Sequence, residues 1–399
     1  MLTDKRVLNL KQNELPALKP GPVCYLAGAG LSAASKYKVP TAVAFLSHEF
    51  TKHADGEDKH VNLRGEPDPA LSQLLDRLEK DYGDLRQQNL ETVMTDLYVR
   101  AFGIARAWEG SDYVGALGRP IPELRRDYTL LINYIRERLP ALCGSSRTEC
   151  GLVKGLVRQV RPEDSIVTLN YDTVLEPYFY ERTGDDRLNF LDKSLTPMVS
   201  AGGMVMFGSV RPTPPRGVFT KLHGSKDWFT CPNEACVNRH FIQPMNTWYQ
   251  TWQGALVHEP FVPYCLQCGS SRRPVIIPPT TAKAFDEFPK LGVMWSQSYE
   301  AFRDAARWVF IGVSLAATDF HLSSFLRSLT RGQKGDEVAH GSCQICVVNP
   351  DFRAVSERLV GAMGPNAAKA FREKYQPTPM YVFDSIEEYS KAADASDHR

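Results

Sequence analysis

The stretch CYLAGAGLSAAS, Cys24 to Ser35, decides the fold. An apolar run with the character of a buried strand ends in Gly28-Ala29-Gly30, and a helix-forming segment follows. Glycine lets the backbone turn tightly and approach a ligand closely. A helix that begins after such a turn directs its free N–H groups at whatever occupies the turn, which suits phosphate. The stretch therefore predicts a strand–turn–helix unit of the kind that binds dinucleotides.

Composition excludes several classes of protein. The 399 residues carry a formal net charge of +1, so bulk charge gives no reason to expect nucleic acid as the main partner. The longest uncharged apolar run, near 308–317, is too short to span a bilayer, and the first 21 residues lack the apolar core of a signal peptide. We therefore expect a cytoplasmic protein without membrane association. Its nine cysteines are then expected to bind metal or pack in the core.

Short apolar runs recur along the chain and are separated by helical patterns. Most are continuously apolar rather than alternating, as in strands that are buried on both faces of a parallel sheet. Their alternation with helices predicts an α/β fold with a Rossmann-like, doubly wound parallel sheet. The runs are VCYLAG at 23–28, SIVTLNYD at 165–172, VFTKLHG at 218–224, RPVIIPP at 273–279, RWVFIGVSL at 307–315, CQICVVNPD at 343–351 and MYVFD at 380–384.

Two stretches interrupt this pattern. Residues 45–160 show helical spacing of apolar residues, which predicts a helical insertion of roughly 100 residues. Residues 225–272 carry four cysteines and predict a small zinc-binding module. An N-terminal extension, 1–20, precedes the first strand. The Rossmann-like domain is then assembled from three pieces, 21–44, 161–224 and 273–399.

The four cysteines form two close pairs with the spacing of a zinc ribbon. Such pairs on short turns suit a tetrahedral zinc ion held by four thiolates, which leaves no open position and indicates a structural role. Two alternatives remain: four buried thiols without metal, and replacement of one cysteine by His240 or His258. The predicted ligands are Cys231, Cys236, Cys265 and Cys268.

Six motifs in a fixed order carry a resemblance to a known family. They are GAGLSAAS at 28–35, TLNYD at 168–172, KLHGS at 221–225, the four-Cys module, IGVSL at 311–315 and VVNPD at 347–351. This set resembles the sirtuins, in which Gly-Ala-Gly-x-Ser, Thr-x-Asn-x-Asp, His-Gly, a zinc ribbon, Gly-x-Ser and an Asn-bearing strand line one NAD pocket. The resemblance covers about 21–44 and 160–351, and it implies NAD⁺ as the substrate.

The chain departs from sirtuin deacylases where they hold an acyl-lysine peptide. The Phe-Arg of the Gly-Ile-Pro-x-Phe-Arg segment is absent from YKVPTAVAF (37–45), and the glutamine before the catalytic asparagine is Leu169. The segment RPVIIPPTTAKAF (273–285) lacks the Phe-Gly-Glu of deacylases. The forms of IGVSLAATDFH, TLNYD and NLETVMTDL resemble instead the bacterial sirtuin-like effectors of phage defence, which hydrolyse NAD.

Asn170 and His223 are the candidate catalytic residues. Each follows an apolar strand, so both side chains are expected at the carboxyl edge of the sheet, where α/β proteins bind ligands. An asparagine amide both donates and accepts, which suits ribose hydroxyls and a water molecule. Histidine titrates near neutral pH and can take up a proton. Asp172 orients Asn170, binds a ribose hydroxyl or caps the following helix, and the sequence does not choose among these.

The resemblance also implies the residues that bind NAD. Ser35 matches the second serine of the first motif, and Asp319 is interpreted as the N-cap of a helix. The implied contacts are Gly28, Ala29 and Gly30 with the pyrophosphate, Ser32 at the start of the helix, Asp172 near the ribose, Gly312 and Ser314 with the adenosine-side ribose and phosphate, and Asn349 with the adenosine ribose.

These observations predict an NAD⁺ glycohydrolase that uses water as the acceptor, releases nicotinamide and ADP-ribose, and depletes NAD in bacterial anti-phage defence. The alternatives are an NAD-dependent protein deacylase or ADP-ribosyltransferase of sirtuin type, and a non-catalytic NAD-binding module in an assembly. An enzyme that destroys NAD must be kept inactive until it is needed, so we expect a homo-oligomer or a partner that gates the pocket. Resemblance to two-component defence systems suggests a P-loop ATPase or a phage-derived trigger.

Overall fold

The computed structural model of the chain separates into two compact units. The first comprises Met1–Leu31, Thr148–Val275 and Phe288–Arg399, and the second comprises Ser32–Arg147 and Ile276–Glu287. The structure describes residues 8–17, 19–35, 38–47, 49, 69–104, 119–143, 150–176, 178, 198–199, 205–206, 217–240, 242–244, 264–278, 280, 288–315, 319–331, 343–372 and 379–397.

The described strands belong to the first unit, except that the last residue of one of them, Ile276, falls in the second. Seven of them form the main sheet, and the others form a three-stranded and a two-stranded sheet. The strands are β1 (Leu10–Gln12), β2 (Val23–Ala27), β3 (Ser165–Thr168), β4 (Met198–Val199), β5 (Val205–Met206), β6 (Phe219–Lys221), β7 (Gly224–Thr230), β8 (Gln243–Pro244), β9 (Arg273–Ile276), β10 (Arg307–Ile311), β11 (Gln344–Val348) and β12 (Met380–Phe383).

The main sheet has the order β1-β12-β11-β10-β2-β3-β6, and every pairing in it is parallel. Read from β6 to β12, the order is the 3-2-1-4-5-6 arrangement of the Rossmann fold. The chain runs outward from β2 to β6 and then returns to β10 on the other side of β2. Every residue of β2, β3, β10 and β11 is buried, as in a sheet covered on both faces. The predicted doubly wound parallel sheet is therefore confirmed.

Ten α-helices are described. None of the helices in this part of the chain is both long and apolar enough to cross a membrane. The helices are α1 (Ala29–Ala34), α2 (Pro69–Tyr82), α3 (Leu90–Tyr98), α4 (Ile121–Cys143), α5 (Gly151–Gln159), α6 (Pro289–Asp304), α7 (Phe320–Arg331), α8 (Phe352–Met363), α9 (Pro365–Phe371) and α10 (Ile386–Asp397).

Two strands differ from the sequence prediction. β1 lies in the stretch assigned to an N-terminal extension, and it pairs with β12 as an edge strand of the main sheet. The run at 273–279 was expected among the parallel strands, but β9 belongs to the three-stranded sheet, of order β8-β7-β9. Pro274 explains the difference, because a proline cannot donate to a ladder and is confined to edges, and only half of β9 is buried.

Every regular element that lies wholly within the described part of the second unit is helical. The apolar faces of α2 and α3 bury residues at helical spacing, among them Leu74, Leu78 and Val93. The buried carboxylate of Asp127 on α4 pairs with Arg77 of α2 at 2.6 Å, so an ion pair links these two helices.

Candidate functional site

Two turns meet backbone to backbone at the point where the strand order reverses. One follows β2 and the other follows β10. The amide of Gly28 donates to the carbonyl of Ile311 at 2.9 Å, and the amide of Gly30 donates to the carbonyl of Gly312 at 2.9 Å. A Cβ on Gly30 would lie 2.7 Å from the Cα of Gly312, and a Cβ on Gly312 would lie 2.3 Å from the amide nitrogen of Leu31. Only glycine allows this approach.

This packing gives the glycines of the first motif a role that the sequence did not predict. The amides of Gly28 and Gly30 were expected to hold a pyrophosphate, but both donate to carbonyl groups at the end of β10. The helix that follows, α1, is only six residues long. Within it Ser32 is buried, and its carbonyl accepts from the hydroxyl of Ser35 at 2.6 Å. Contacts of Gly28, Ala29, Gly30 and Ser32 with a pyrophosphate remain predictions.

Asn170 lies at the carboxyl end of β3, beside the turn that follows β2. Its side chain is 7% exposed, and its backbone amide donates to Oγ1 of Thr168 at 3.1 Å. Its Nδ2 donates to the carbonyl oxygen of Gly28 at 3.0 Å. The structure therefore brings Asn170 to the glycine turn, with its amide plane fixed by this bond.

His223 lies at the next strand end along the sheet. It occupies the tight turn between β6 and β7, where Gly224 has a φ of 82°. The residue is 6% exposed, and the centroid of its imidazole lies 6.4 Å from that of Tyr171 and 6.3 Å from that of Trp295. The indole nitrogen of Trp295 donates to the carbonyl of Leu222 at 3.2 Å, so the indole is anchored to the residue before the histidine.

Asp319 contacts both a helix end and the candidate catalytic histidine. One carboxylate oxygen accepts from the amide of Leu322 at 3.2 Å, which is the N-cap arrangement expected from the sequence. The other oxygen lies 3.9 Å from Nε2 of His223. The sequence did not predict this second contact, because 95 residues separate the two side chains along the chain.

Asp172 is buried in the loop after β3. Its Oδ1 accepts from the amide of Val174 at 3.0 Å, which is a local turn bond, and the three roles considered for Asp172 stay predictions. Its backbone carbonyl accepts from the ammonium of Lys221. Sequence reasoning did not identify Lys221 or Trp295 as part of this region. The position of Lys221 inside the apolar run VFTKLHG could have indicated that this lysine belongs to the region.

The loop after β10 holds the remaining predicted contacts. Ser314 is exposed there, next to Leu315, whose φ of 49° is rare for a residue other than glycine. Nδ2 of Asn349 donates to the carbonyl of Val313 at 3.3 Å, so this asparagine supports the loop from the end of β11. Their predicted contacts with adenosine remain untested by this geometry.

The four cysteines come together and fit a zinc ion. Their Sγ atoms all lie within 4.8 Å of one another. The distance is 3.5 Å between Cys231 and Cys268 and 3.7 Å between Cys236 and Cys265. A tetrahedral zinc ion with Zn–S bonds of about 2.3 Å separates its sulfur ligands by about 3.8 Å. The side chains of both alternative histidine ligands, predicted above, lie outside the described residues.

The environments of the thiols differ. Burial raises the pKa of Cys231 to about 12, whereas hydrogen bonding with Ser270 lowers the pKa of the exposed Cys268 to about 6. Gly269, with a φ of 72°, directly follows the second pair, and its amide donates to the carbonyl of Cys265 at 2.7 Å, which closes the tight turn that carries the pair. Zinc binds the thiolate form, so metal uptake would release protons from the buried thiols.

Comparison with known proteins identifies no family. No protein-family model and no curated protein matches the chain. Among solved structures, it is similar to a mutant Sir2 homologue in complex with 2'-O-acetyl ADP ribose, with 14% identity over 94% of this chain and 92% of the other and a TM-score of 0.41. For a Sir2 enzyme the identity is 12% over 96% of this chain and 95% of the other, with a TM-score of 0.38. For a Sir2 mutant with a p53 peptide and NAD the identity is 12% over 95% of this chain and 94% of the other, with a TM-score of 0.33. These similarities are too weak to assign an activity.

Proposed function

We propose that this chain is an NAD⁺ glycohydrolase, which cleaves the bond between nicotinamide and ribose with water as the acceptor. The observation that carries the proposal is the placement of Asn170 and His223. Both are buried at the ends of adjacent strands, and Asn170 donates to the glycine turn, the place at which a Rossmann fold receives dinucleotides.

The chemistry requires little beyond positioning and one base. The nicotinamide ring of NAD⁺ is cationic, so the electron pair of the breaking C1'–N bond neutralises the leaving group and no strong acid is needed. Positive charge develops on the ribose, as in glycoside cleavage. Water forms the new bond to C1' and loses its proton to His223. Asn170 orients the ribose and the water.

Asp319 supports this assignment of the base. Its carboxylate lies 3.9 Å from Nε2 of His223. Two opposite charges at this distance attract each other. The carboxylate therefore stabilises the imidazolium that forms when His223 accepts the proton from water.

Water is the proposed acceptor because the deacylase peptide segments are altered. The Phe-Arg and Phe-Gly-Glu elements are missing, and Leu169 replaces the family glutamine. The acceptor can be tested directly. Purified protein is incubated with NAD⁺, with and without an acetylated peptide, and the products are identified by mass. Hydrolysis releases nicotinamide and ADP-ribose in equal amounts whether or not peptide is present. If peptide is consumed in step with NAD⁺, the chain is a deacylase instead. If NAD⁺ remains intact, neither enzymatic function holds and the alternative is a non-catalytic NAD-binding module.

The proposal extends to a regulated effector of anti-phage defence. It rests on the resemblance of IGVSLAATDFH, TLNYD and NLETVMTDL to bacterial sirtuin-like effectors. A homo-oligomer, a P-loop ATPase or a phage-derived trigger would then control the site. Cellular NAD is measured during phage infection of bacteria that express the chain. NAD should fall after infection in these cells and stay constant in cells that carry His223→Ala.

A further inference from the structure

Lys221 is a fully buried lysine at the carboxyl end of β6, two residues before His223. Its side chain is among the largest that the structure buries, and the residue is 1% exposed. Lysine is almost never buried in this way unless its charge is paired. Here Nζ lies 2.7 Å from Oε1 of Glu176 and also donates to the backbone carbonyl of Asp172. The ammonium therefore contacts the loop that follows β3 at two points.

Surrounding carboxylates keep this lysine charged. Burial by itself lowers the pKa of Lys221, but the carboxylates of Glu176, Asp227 and Asp172 outweigh burial and raise the pKa above its ordinary value. The side chain is therefore an ammonium group at neutral pH, with donors to satisfy both acceptors on the loop.

The two carbonyl groups after the candidate catalytic asparagine are both held by the segment that contains the candidate catalytic histidine. The carbonyl of Tyr171 accepts from the amide of Lys226 at 2.9 Å and from the hydroxyl of Ser225 at 3.3 Å. The next carbonyl, that of Asp172, accepts from Lys221. The two bonds to Tyr171 attach the loop at one carbonyl only, about which the loop could still rotate. The second attachment, supplied by the ammonium, fixes the orientation.

We propose that Lys221 is a positioning residue for NAD⁺ cleavage: its ammonium ties the loop that carries Asn170 to the strand that leads to His223, and so sets the separation of the two groups. This inference rests on the proposed function. Lys221 itself does not contact the substrate, and it acts through the loop.

A merely structural ion pair is the rival explanation, and a double variant separates the two. Lys221→Met leaves Glu176 buried without its partner, which destabilises the fold whatever the role of the lysine. Lys221→Met/Glu176→Gln removes the unpaired charge, so the thermal stability lost in the single variant should return. The bond to the carbonyl of Asp172 remains absent from both variants.

Arg307→Met is the matched control. Arg307 is also buried, but it lies at the amino end of β10, where it donates to Gln344 at 2.8 Å and to the carbonyl of Pro16 at 2.9 Å. Its loss should lower the melting temperature and leave the kcat of the folded enzyme unchanged.

Two measurements test the inference, namely kcat and KM for NAD⁺ and the rate of amide hydrogen exchange over residues 169–173. In the double variant, kcat should fall by about 10²-fold with a smaller change in KM, because small displacements of reactive groups are costly. Exchange over 169–173 should accelerate while exchange in β10 and β11 stays unchanged. Recovery of both stability and kcat, or unchanged exchange over 169–173, would overturn the inference. If the wild type does not cleave NAD⁺, the proposed function fails, and the exchange measurement still decides whether Lys221 holds the loop.

Discussion

The side-chain nitrogen of Asn170 donates to the carbonyl oxygen of Gly28 at 3.0 Å. The two residues follow neighbouring strands, since Ala27 pairs with Thr168 at the ends of β2 and β3. One bond therefore links the amide that we propose to hold the ribose with the glycine turn at which we propose that the dinucleotide binds. The opposite edge of the amide plane carries Oδ1, whose direction is set by the same bond.

Replacing Asn170 should disable the enzyme without unfolding it. Asn170→Ala removes the amide that orients ribose and water, so we expect the rate of NAD⁺ cleavage to fall by about 10²-fold. Asn89→Ala is the control, because Asn89 caps α3 by accepting from Glu91 at 2.8 Å and its loss should cost about 1 kcal/mol of stability only. Steady-state rates and thermal melting are compared. Equal loss of rate in both variants would show that the effect of Asn170→Ala is not local.

Asp319→Asn tests the charge beside the imidazole. Asparagine is as good an N-cap as aspartate, so α7 should keep its stability. The negative charge near His223 is lost, and an opposite charge at about 4 Å contributes on the order of 1–4 kcal/mol between water and a protein surface. We therefore expect kcat to fall tenfold or more with an unchanged melting temperature. An unchanged kcat would remove Asp319 from the site.

Gly312→Ala should destabilise the protein through backbone crowding. The new Cβ would lie 2.3 Å from the amide of Leu31, and Gly312 has a φ of 60°. The left-handed conformation alone costs an alanine about 1–2 kcal/mol. Gly155→Ala, inside α5 with nothing within 4 Å, should instead stabilise by about 0.5–1 kcal/mol. Urea unfolding measures both, and a Gly312→Ala protein as stable as wild type would contradict the close packing of the two turns.

Purified protein should contain about one zinc ion per chain. Cys265→Ser should lower the zinc content and the melting temperature. Cys150→Ser is the control, since Cys150 lies at the N-cap of α5 and serine is a favoured cap. Zinc is measured by elemental analysis. A metal-free wild type that is fully folded would contradict the zinc site.

The sequence predicts those strands in which every residue is buried. β2, β3, β10 and β11 are fully buried, and each contains consecutive apolar residues rather than an alternating pattern. β1 was not predicted because Leu10–Gln12 has a single apolar residue and depends on pairing with β12. Edge strands carry little local signal of this kind.

The chemistry of the candidate site was only partly readable. The motifs indicated Asn170 and His223, but nothing local indicates that Asp319 reaches His223, because the fold brings together two residues that are far apart in the sequence. The same holds for the amide of Gly30. This amide donates to the carbonyl of Gly312 because β2 and β10 are neighbours in the sheet, and local sequence does not show which strands are neighbours.

The release of nicotinamide from NAD⁺ by wild type and His223→Ala tests the central claim most directly. Loss of a positioned general base costs about 10²–10⁴-fold in rate, so the variant should be slower by that factor while its melting temperature and zinc content match wild type. Both proteins are assayed in the activated state, defined by wild-type turnover in phage-infected cell extract. Wild-type rates of nicotinamide release from a folded, zinc-containing His223→Ala protein would contradict the proposed active site.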